Sequence, residues 1–154
     1  MNDHNHSDET TALNTLIATL IDSVTGFEDA ATNIEPGNRL QQLFRERASE
    51  RRRCVEDLRS EVRRLGGNPE DDGSFLGKTH QRFLDLKAAV TGRDEKAIIN
   101  EVERGEDYLK EKFETALNSE HLSGESRTVV ESAFQSVRAG HDQMSQLKHG
   151  MEAD

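Results

Sequence analysis

Apolar residues recur three and four positions apart over long stretches of this chain, and this spacing limits its possible folds more than any other feature. Residues at such spacing lie on one side of an α-helix, so each stretch predicts a helix with one apolar face. No stretch alternates apolar and polar residues as a half-buried strand would. The sequence therefore predicts an all-α protein. The first stripe consists of Leu13, Leu16, Ile17, Leu20, Val24, Phe27 and Ala31.

Glycine, proline and capping residues divide the chain into four long helices and one short helix. The predicted bounds are about 8–33, Pro36 to Gly66, 75–90, a helix capped by Asp94 and ending near Asn118, and a last helix capped by Ser123. The short helix would cover ~24 Å, so the long helices before and after it would run parallel. We expect one bundle domain over 10–149, a flexible tail over 1–9 and a second tail over 150–154.

The net charge of −10 disfavours nucleic-acid binding, because phosphate backbones are repelled unless basic residues collect on one face. The most basic stretch, 45–64, is interleaved with acidic residues at helical neighbour spacing. No apolar run reaches the ~20 residues of a membrane span, and the first residues lack the basic start and the hydrophobic segment typical of a signal peptide, so we expect a cytoplasmic protein without membrane contact. The expected neighbour pairs are Arg52 with Glu56, Arg53 with Asp57, and Glu61 with Arg64.

Five short segments of the chain are distinctive, namely Asp22-x-x-x-Gly26-Phe27, Leu43-Phe44-Arg45-Glu46, Glu61 to Pro69 with the turn Arg63-Arg64-Leu65-Gly66-Gly67-Asn68-Pro69, Leu86 to Gly92, and Glu103-Arg104-Gly105-Glu106-Asp107. They resemble a bacterial family of four-helix-bundle proteins of unknown function that is placed near rubrerythrins and ferritins. The resemblance spans about residues 13–147. It implies a ferritin-like antiparallel bundle with a short crossover helix between the second and third long helices.

The metal ligands that this resemblance would suggest are missing. A di-iron carboxylate bundle uses two Glu-x-x-His pairs, because three-residue spacing places both ligands on one inward face. None of the six histidines follows a glutamate at that spacing. We therefore expect no cofactor, no metal site and no enzymatic activity. The single cysteine, Cys54, is expected to be a packed thiol.

Arg51 and Glu106 interrupt the apolar faces of the second helix and of the helix after Asp94. Counting along the helices places Leu20 and Glu106 near the level of Arg51, with His141 ~7 Å farther on. One interpretation is an internal cluster in which Arg51 takes the place of the metal's charge, held by Glu106 and His141. A second is that all three are boundary residues whose polar ends reach water. A third is a true metal site.

The leading functional hypothesis is a non-enzymatic ferritin-like bundle that works through assembly or protein interaction, in a bacterial stress response. The alternative is an iron- or manganese-binding redox or storage protein that uses Glu103, Glu106 and His141. Apolar residues at the edges of the helical stripes predict a homo-oligomer or a protein partner. These residues are Ile21, Ile99 and Leu147. We give no site role to Glu28, a surface residue, to His80, a packed residue, or to the N-terminal pair His4 and His6.

Overall fold

The computed structural model describes residues 3–71 and 95–152, and the side chains of 7–71 and 95–151. These residues form four helices, α1 (Asp3–Asn33), α2 (Arg39–Arg64), α3 (Glu95–Asn118) and α4 (Gly124–Glu152). No strand occurs in the described ranges, which confirms the all-α prediction. The predicted short helix, the Asp94 cap and His80 lie outside the described residues.

Contacts between the helix ends fix the direction of each helix. The amide of Asn38, just before α2, donates to the carboxylate of Glu95 at the start of α3, over 2.7 Å. The hydroxyl of Ser126 at the start of α4 donates to Glu61 near the end of α2, over 2.6 Å. The starts of α2 and α3 therefore lie together, while the end of α2 lies at the start of α4, so α2 runs parallel to α3. Both α2 and α3 pack against α1 and α4, which places α2 and α3 on opposite corners of the bundle.

The helices extend into both of the expected tails. α1 begins at Asp3 rather than near residue 8. Glu9 is buried, and its carboxylate accepts hydrogen bonds from the backbone N–H and the hydroxyl of Ser123, at 3.0 and 3.2 Å. The Ser123 hydroxyl thus bonds to α1, while Ser123 itself directly precedes α4 as predicted. At the other end, α4 continues to Glu152 and Met151 packs partly against the core.

The start of α2 differs from the prediction, and its end agrees. Pro36 is wrong as the first helical residue, because it lies in a turn that Gly37 completes with a φ of +84°. Asn38 then caps α2 by accepting a hydrogen bond from the backbone N–H of Leu40 at 2.8 Å. Gly66 ends α2 with a φ of +85°, in the left-handed conformation that favours glycine.

The apolar core divides into two clusters along the bundle. The first reaches Leu20 on α1, and the second begins at Val24. The same break occurs on the other three helices, between Ala48 and Cys54, between Val102 and Leu109, and between Val137 and Met144. A layer without apolar core residues therefore crosses the middle of all four helices.

Candidate functional site

Arg51 and Glu106 fill the layer between the two apolar clusters. The guanidinium donates two hydrogen bonds to the carboxylate, Nη1 to Oε2 at 2.8 Å and Nη2 to Oε1 at 2.6 Å. The side chains are 0% and 2% exposed. Paired N–H groups that face both carboxylate oxygens form the strongest geometry available to an arginine. This geometry excludes the interpretation in which both residues reach water.

The helical spacing of each residue explains why a charge lies so deep. Arg51 follows Ala48 by three residues and precedes Val55 by four, so it lies on the buried face of α2. Glu106 follows Val102 by four residues and precedes Leu109 by three, so it lies on the buried face of α3. Each charge therefore interrupts an apolar face at one position, and the other helix supplies the opposite charge.

α1 contributes a hydroxyl and an aromatic ring to the same layer. Nη1 of Arg51 donates to Oγ of Ser23 at 2.7 Å, and Oγ lies 3.4 Å from Oε2 of Glu106. The Phe27 ring lies one helical turn farther on, with the carbon Cζ of Arg51 5.4 Å from its centre. Sequence reasoning expected Leu20 at this level. Leu20 instead belongs to the first apolar cluster, and Ser23 was missed although it lies three residues later.

α4 contributes a glycine rather than a side chain. A Cβ atom added to Gly140 would overlap Nη2 of Arg51 and lie 3.2 Å from Oε1 of Glu106. The hydrogen bonds and the surrounding core hold the guanidinium in place, so this space cannot be freed cheaply. Gly140 therefore makes room for the ion pair. Each of the four helices supplies one part of what we call the central polar layer, namely Ser23, Arg51, Glu106 and Gly140.

Arg51 keeps its positive charge in this environment. Burial acts to lower the pKa of the Arg51 guanidinium, but the charge and hydrogen bonds of Glu106 raise it more, so the net shift is upward. One donor of the group, Nε, has no hydrogen-bond partner among the described residues. The layer thus holds a permanent cation whose charge is balanced by one carboxylate.

His141 does not join the central polar layer, so that part of the expected cluster is wrong. Its Nε2 lies 2.5 Å from Oδ1 of Asp107, and its Nδ1 lies 3.3 Å from Oδ1 of Asp142. His141 follows Gly140 directly, and one residue turns the side-chain direction by about 100° around the helix. Gly140, rather than His141, therefore faces the guanidinium.

The three candidate ligands of the metal alternative do not converge on one point. Glu106 binds Arg51, His141 binds Asp107, and the carboxylate of Glu103 lies 3.2 Å from Nζ of Lys148. Within 3–71 and 95–152, no group of three or more histidine, cysteine, aspartate or glutamate residues is arranged to hold a metal ion.

Two of the residues set aside by sequence reasoning lie where it expected them. Glu28 is on the surface, where it forms an ion pair with Arg52. Cys54 is buried at 6% exposure, and burial raises the pKa of its thiol although Ser136 and Arg51 act in the opposite direction. The buried position confirms the packed-thiol prediction, and a higher pKa leaves less reactive thiolate. The side chains of His4 and His6 lie outside the described ones.

Asp22 is a buried carboxyl group that sequence reasoning passed over. It is 4% exposed, and its Oδ2 has no hydrogen-bond partner among the described residues. Burial raises the pKa of Asp22 from 3.8 to about 7. The sequence signal was weak, because an aspartate off the apolar stripe of a helix is normally solvated.

Comparison with known proteins places most of this arrangement inside one sequence family. The family profile with the description "Domain of unknown function (DUF2383)" matches residues 8–119. The match contains α2 and α3 whole, and therefore contains Ser23, Arg51 and Glu106. None of the curated proteins compared with the chain matches it. None of the described helices is both long enough and apolar enough to cross a bilayer.

Proposed function

This chain belongs to the family described as "Domain of unknown function (DUF2383)", and we propose its function from the chemistry of the central polar layer. It is a non-enzymatic, ferritin-like helical bundle that works through assembly or protein interaction. The observation that carries this proposal is the buried Arg51–Glu106 ion pair. The bacterial setting, the stress response and the kinship with rubrerythrins rest on the resemblance in sequence.

The central polar layer is chemically unsuited to the metal of a ferritin-like di-iron protein. Such a centre collects carboxylates from all four helices and histidines from two of them. Here one helix supplies a serine, one a glycine and one a cation. A divalent ion ~4 Å from the guanidinium would meet a repulsion of about 8 kcal/mol at an effective dielectric constant of ~20. Both oxygens of Glu106 are already bonded to Arg51.

The same layer is also poorly suited to catalysis. A general acid or base must come within hydrogen-bond reach of its substrate. Arg51 and Glu106 are both buried, and apolar clusters lie on both sides of them. The pair therefore supports a structural role, in which opposite charges set the register of two helices that lie on opposite corners.

The three apolar residues that predicted association are buried or half-buried in the structure. Ile99 is 0% exposed and belongs to the core, so it cannot contact a partner. Ile21 and Leu147 are only half-buried, but both pack against the core clusters. The assembly that we propose therefore uses exposed polar residues of the described helices rather than these three.

Metal analysis of untagged protein, before and after incubation with Fe(II) or Mn(II), tests this function. We expect a metal content far below one ion per chain, equal in the wild type and in Glu106→Ala. Glu131→Ala, which removes an exposed carboxylate on α4, is the matched control. Near-stoichiometric iron or manganese that disappears in Glu106→Ala but stays in Glu131→Ala would overturn the proposal.

A further inference from the structure

A line of six polar residues follows the outer side of α2 at heptad-like spacing. The intervals between them are three, four, three, four and three residues, so they form one stripe about 26 Å long that drifts by about 20° per seven residues around the helix. All six are exposed. We call them the outer stripe, and they are Glu46, Ser49, Arg53, Glu56, Ser60 and Arg63.

The outer stripe is complementary to itself in the antiparallel direction. If two copies of α2 lie side by side around a twofold axis between Cys54 and Val55, each acidic residue of the stripe faces a basic residue of the partner. The facing pairs are Glu46 with Arg63, Ser49 with Ser60, and Arg53 with Glu56. Arg52 and Asp57, beside the stripe, also face each other. A symmetric dimer interface requires this property, because the same patch serves on both subunits.

The stripe residues are available for contacts between chains. Neither Arg53 nor Arg63 forms an ion pair with any described residue. The neighbour pair expected between Arg53 and Asp57 is absent among the described contacts, and Arg52 binds Glu28 rather than Glu56. Only Glu61 and Arg64 pair as predicted. Glu56 binds Arg59 within α2 over 2.7 Å, and such exposed pairs exchange at little cost.

The surface beside the stripe has room for a second helix. The serines at positions 49 and 60 are small, so two backbones can approach closely there. A groove of about 560 Å³ between α2 and α4 borders the stripe. Stripe residues Ser49, Arg53 and Glu56 line one side, and Ser132, Ala133 and Ser136 of α4 line the other.

The charges favour a second copy of this chain over other partners. A nucleic acid would need continuous positive charge, and the stripe alternates in sign. The net charge of −10 repels any acidic protein at long range, a second copy included, so pairing depends on close contacts between opposite charges. The stripe itself has two acidic and two basic residues, so only a partner with the reversed order of charges satisfies all of them.

We propose that the outer stripe of α2 pairs with the same stripe of a second copy in an antiparallel, twofold-symmetric dimer. This inference rests on the assembly role proposed above and names the partner and surface. The interface is polar and exposed, so the dimer is weak, reversible and sensitive to salt.

Sedimentation velocity between ~1 and ~500 µM at low and high salt tests the pairing. We expect the wild type to pass from monomer to dimer at low salt and to dissociate in ~0.5 M NaCl. Arg53→Glu turns both symmetric contacts into repulsions, and should raise the dissociation constant at least about 10-fold. Arg53→Glu combined with Glu56→Arg exchanges the two charges, and should restore the dissociation constant to within about 3-fold of the wild-type value.

Arg138→Glu is the charge-matched control. Arg138 is exposed on α4, where it lies over the Phe134 ring that stacks on Phe113 of α3. Its reversal should leave the dissociation constant within about 3-fold of the wild type. Circular dichroism confirms that each variant is folded.

Two results would overturn the inference. One is a chain that stays monomeric over the whole range at low salt. The other is an assembly in which Arg53→Glu behaves like Arg138→Glu, or in which the charge exchange does not restore pairing in a folded variant. Neither result affects the metal experiment on Glu106→Ala, so a failure of this interface is distinguishable from a failure of the proposed function.

Discussion

Arg51 and Glu106 form a two-hydrogen-bond ion pair across the diagonal of the bundle, between the two parallel helices on opposite corners. The neighbouring helices pack against each other through apolar residues. Along their length, the diagonal helices are joined by this charged pair, in the layer where the apolar core is interrupted. The pair therefore favours one relative height of α2 and α3, because both hydrogen bonds are lost when one helix slides along the other.

Gly140→Ala should destabilise the protein. Alanine is the better helix former by ~1 kcal/mol, so propensity alone predicts a gain. The added Cβ would instead overlap Nη2 of Arg51, and overpacking of a tight interior costs about 1–3 kcal/mol. Urea denaturation measures the difference. The control is Gly150→Ala, also in α4, where the new Cβ has nothing within 4 Å. Equal effects at the two positions would show that Gly140 does not hold space for the guanidinium.

Ser23→Ala should lower the free energy of unfolding by about 1–2 kcal/mol. The variant removes the hydroxyl that accepts from Nη1 of Arg51 at 2.7 Å, while Nη1 keeps its bond to Glu106. Thermal and urea denaturation provide the measurement, with Ser132→Ala on the exposed side of α4 as control. If Ser23→Ala costs no more than Ser132→Ala, α1 contributes no bond of consequence to the layer.

Asp22 should make the protein less stable as the pH rises from about 4 to about 7. The folded state keeps this carboxyl protonated up to a pKa of about 7, whereas the unfolded chain loses the proton near 3.8. The unfolded state thus binds fewer protons in this window, so the free energy of unfolding falls with increasing pH.

Asp22→Asn should remove that pH dependence. The free energy of unfolding of the variant relative to the wild type should therefore be about 1–3 kcal/mol higher at pH 8 than at pH 4. Urea denaturation at a series of pH values gives the curve for each protein. Glu131→Gln, at an exposed position of α4 away from the outer stripe, should follow the wild type. A parallel course of the Asp22→Asn and wild-type curves between pH 4 and 8 would contradict the assignment.

The charged half of the central polar layer was predictable from the sequence, and the neutral half was not. Arg51 and Glu106 stand out because each interrupts an apolar stripe at its centre, where a charge needs a partner. Ser23 and Gly140 carry no such signal, since small residues are common on buried helix faces. Only the position of the guanidinium reveals what they do.

The errors in the sequence interpretation have specific geometric causes. His141 was placed by its height along α4, but its direction around the helix differs by one residue from the inward direction that Gly140 takes. Pro36 was assigned to the first helical position because proline suits it. The turn through Gly37 instead delayed the helix until Asn38 could cap it.

The most direct test of the central claim is a double-mutant cycle on Arg51 and Glu106, measured by chemical denaturation. Arg51→Met and Glu106→Leu each leave one buried charge without its partner, which should cost ~3–5 kcal/mol. The double variant replaces the ion pair by an apolar pair and should recover much of that loss, because well-packed apolar residues can match a buried pair. Two small and additive effects, each below ~1 kcal/mol, would contradict the account, since that is the behaviour of a pair exposed to water.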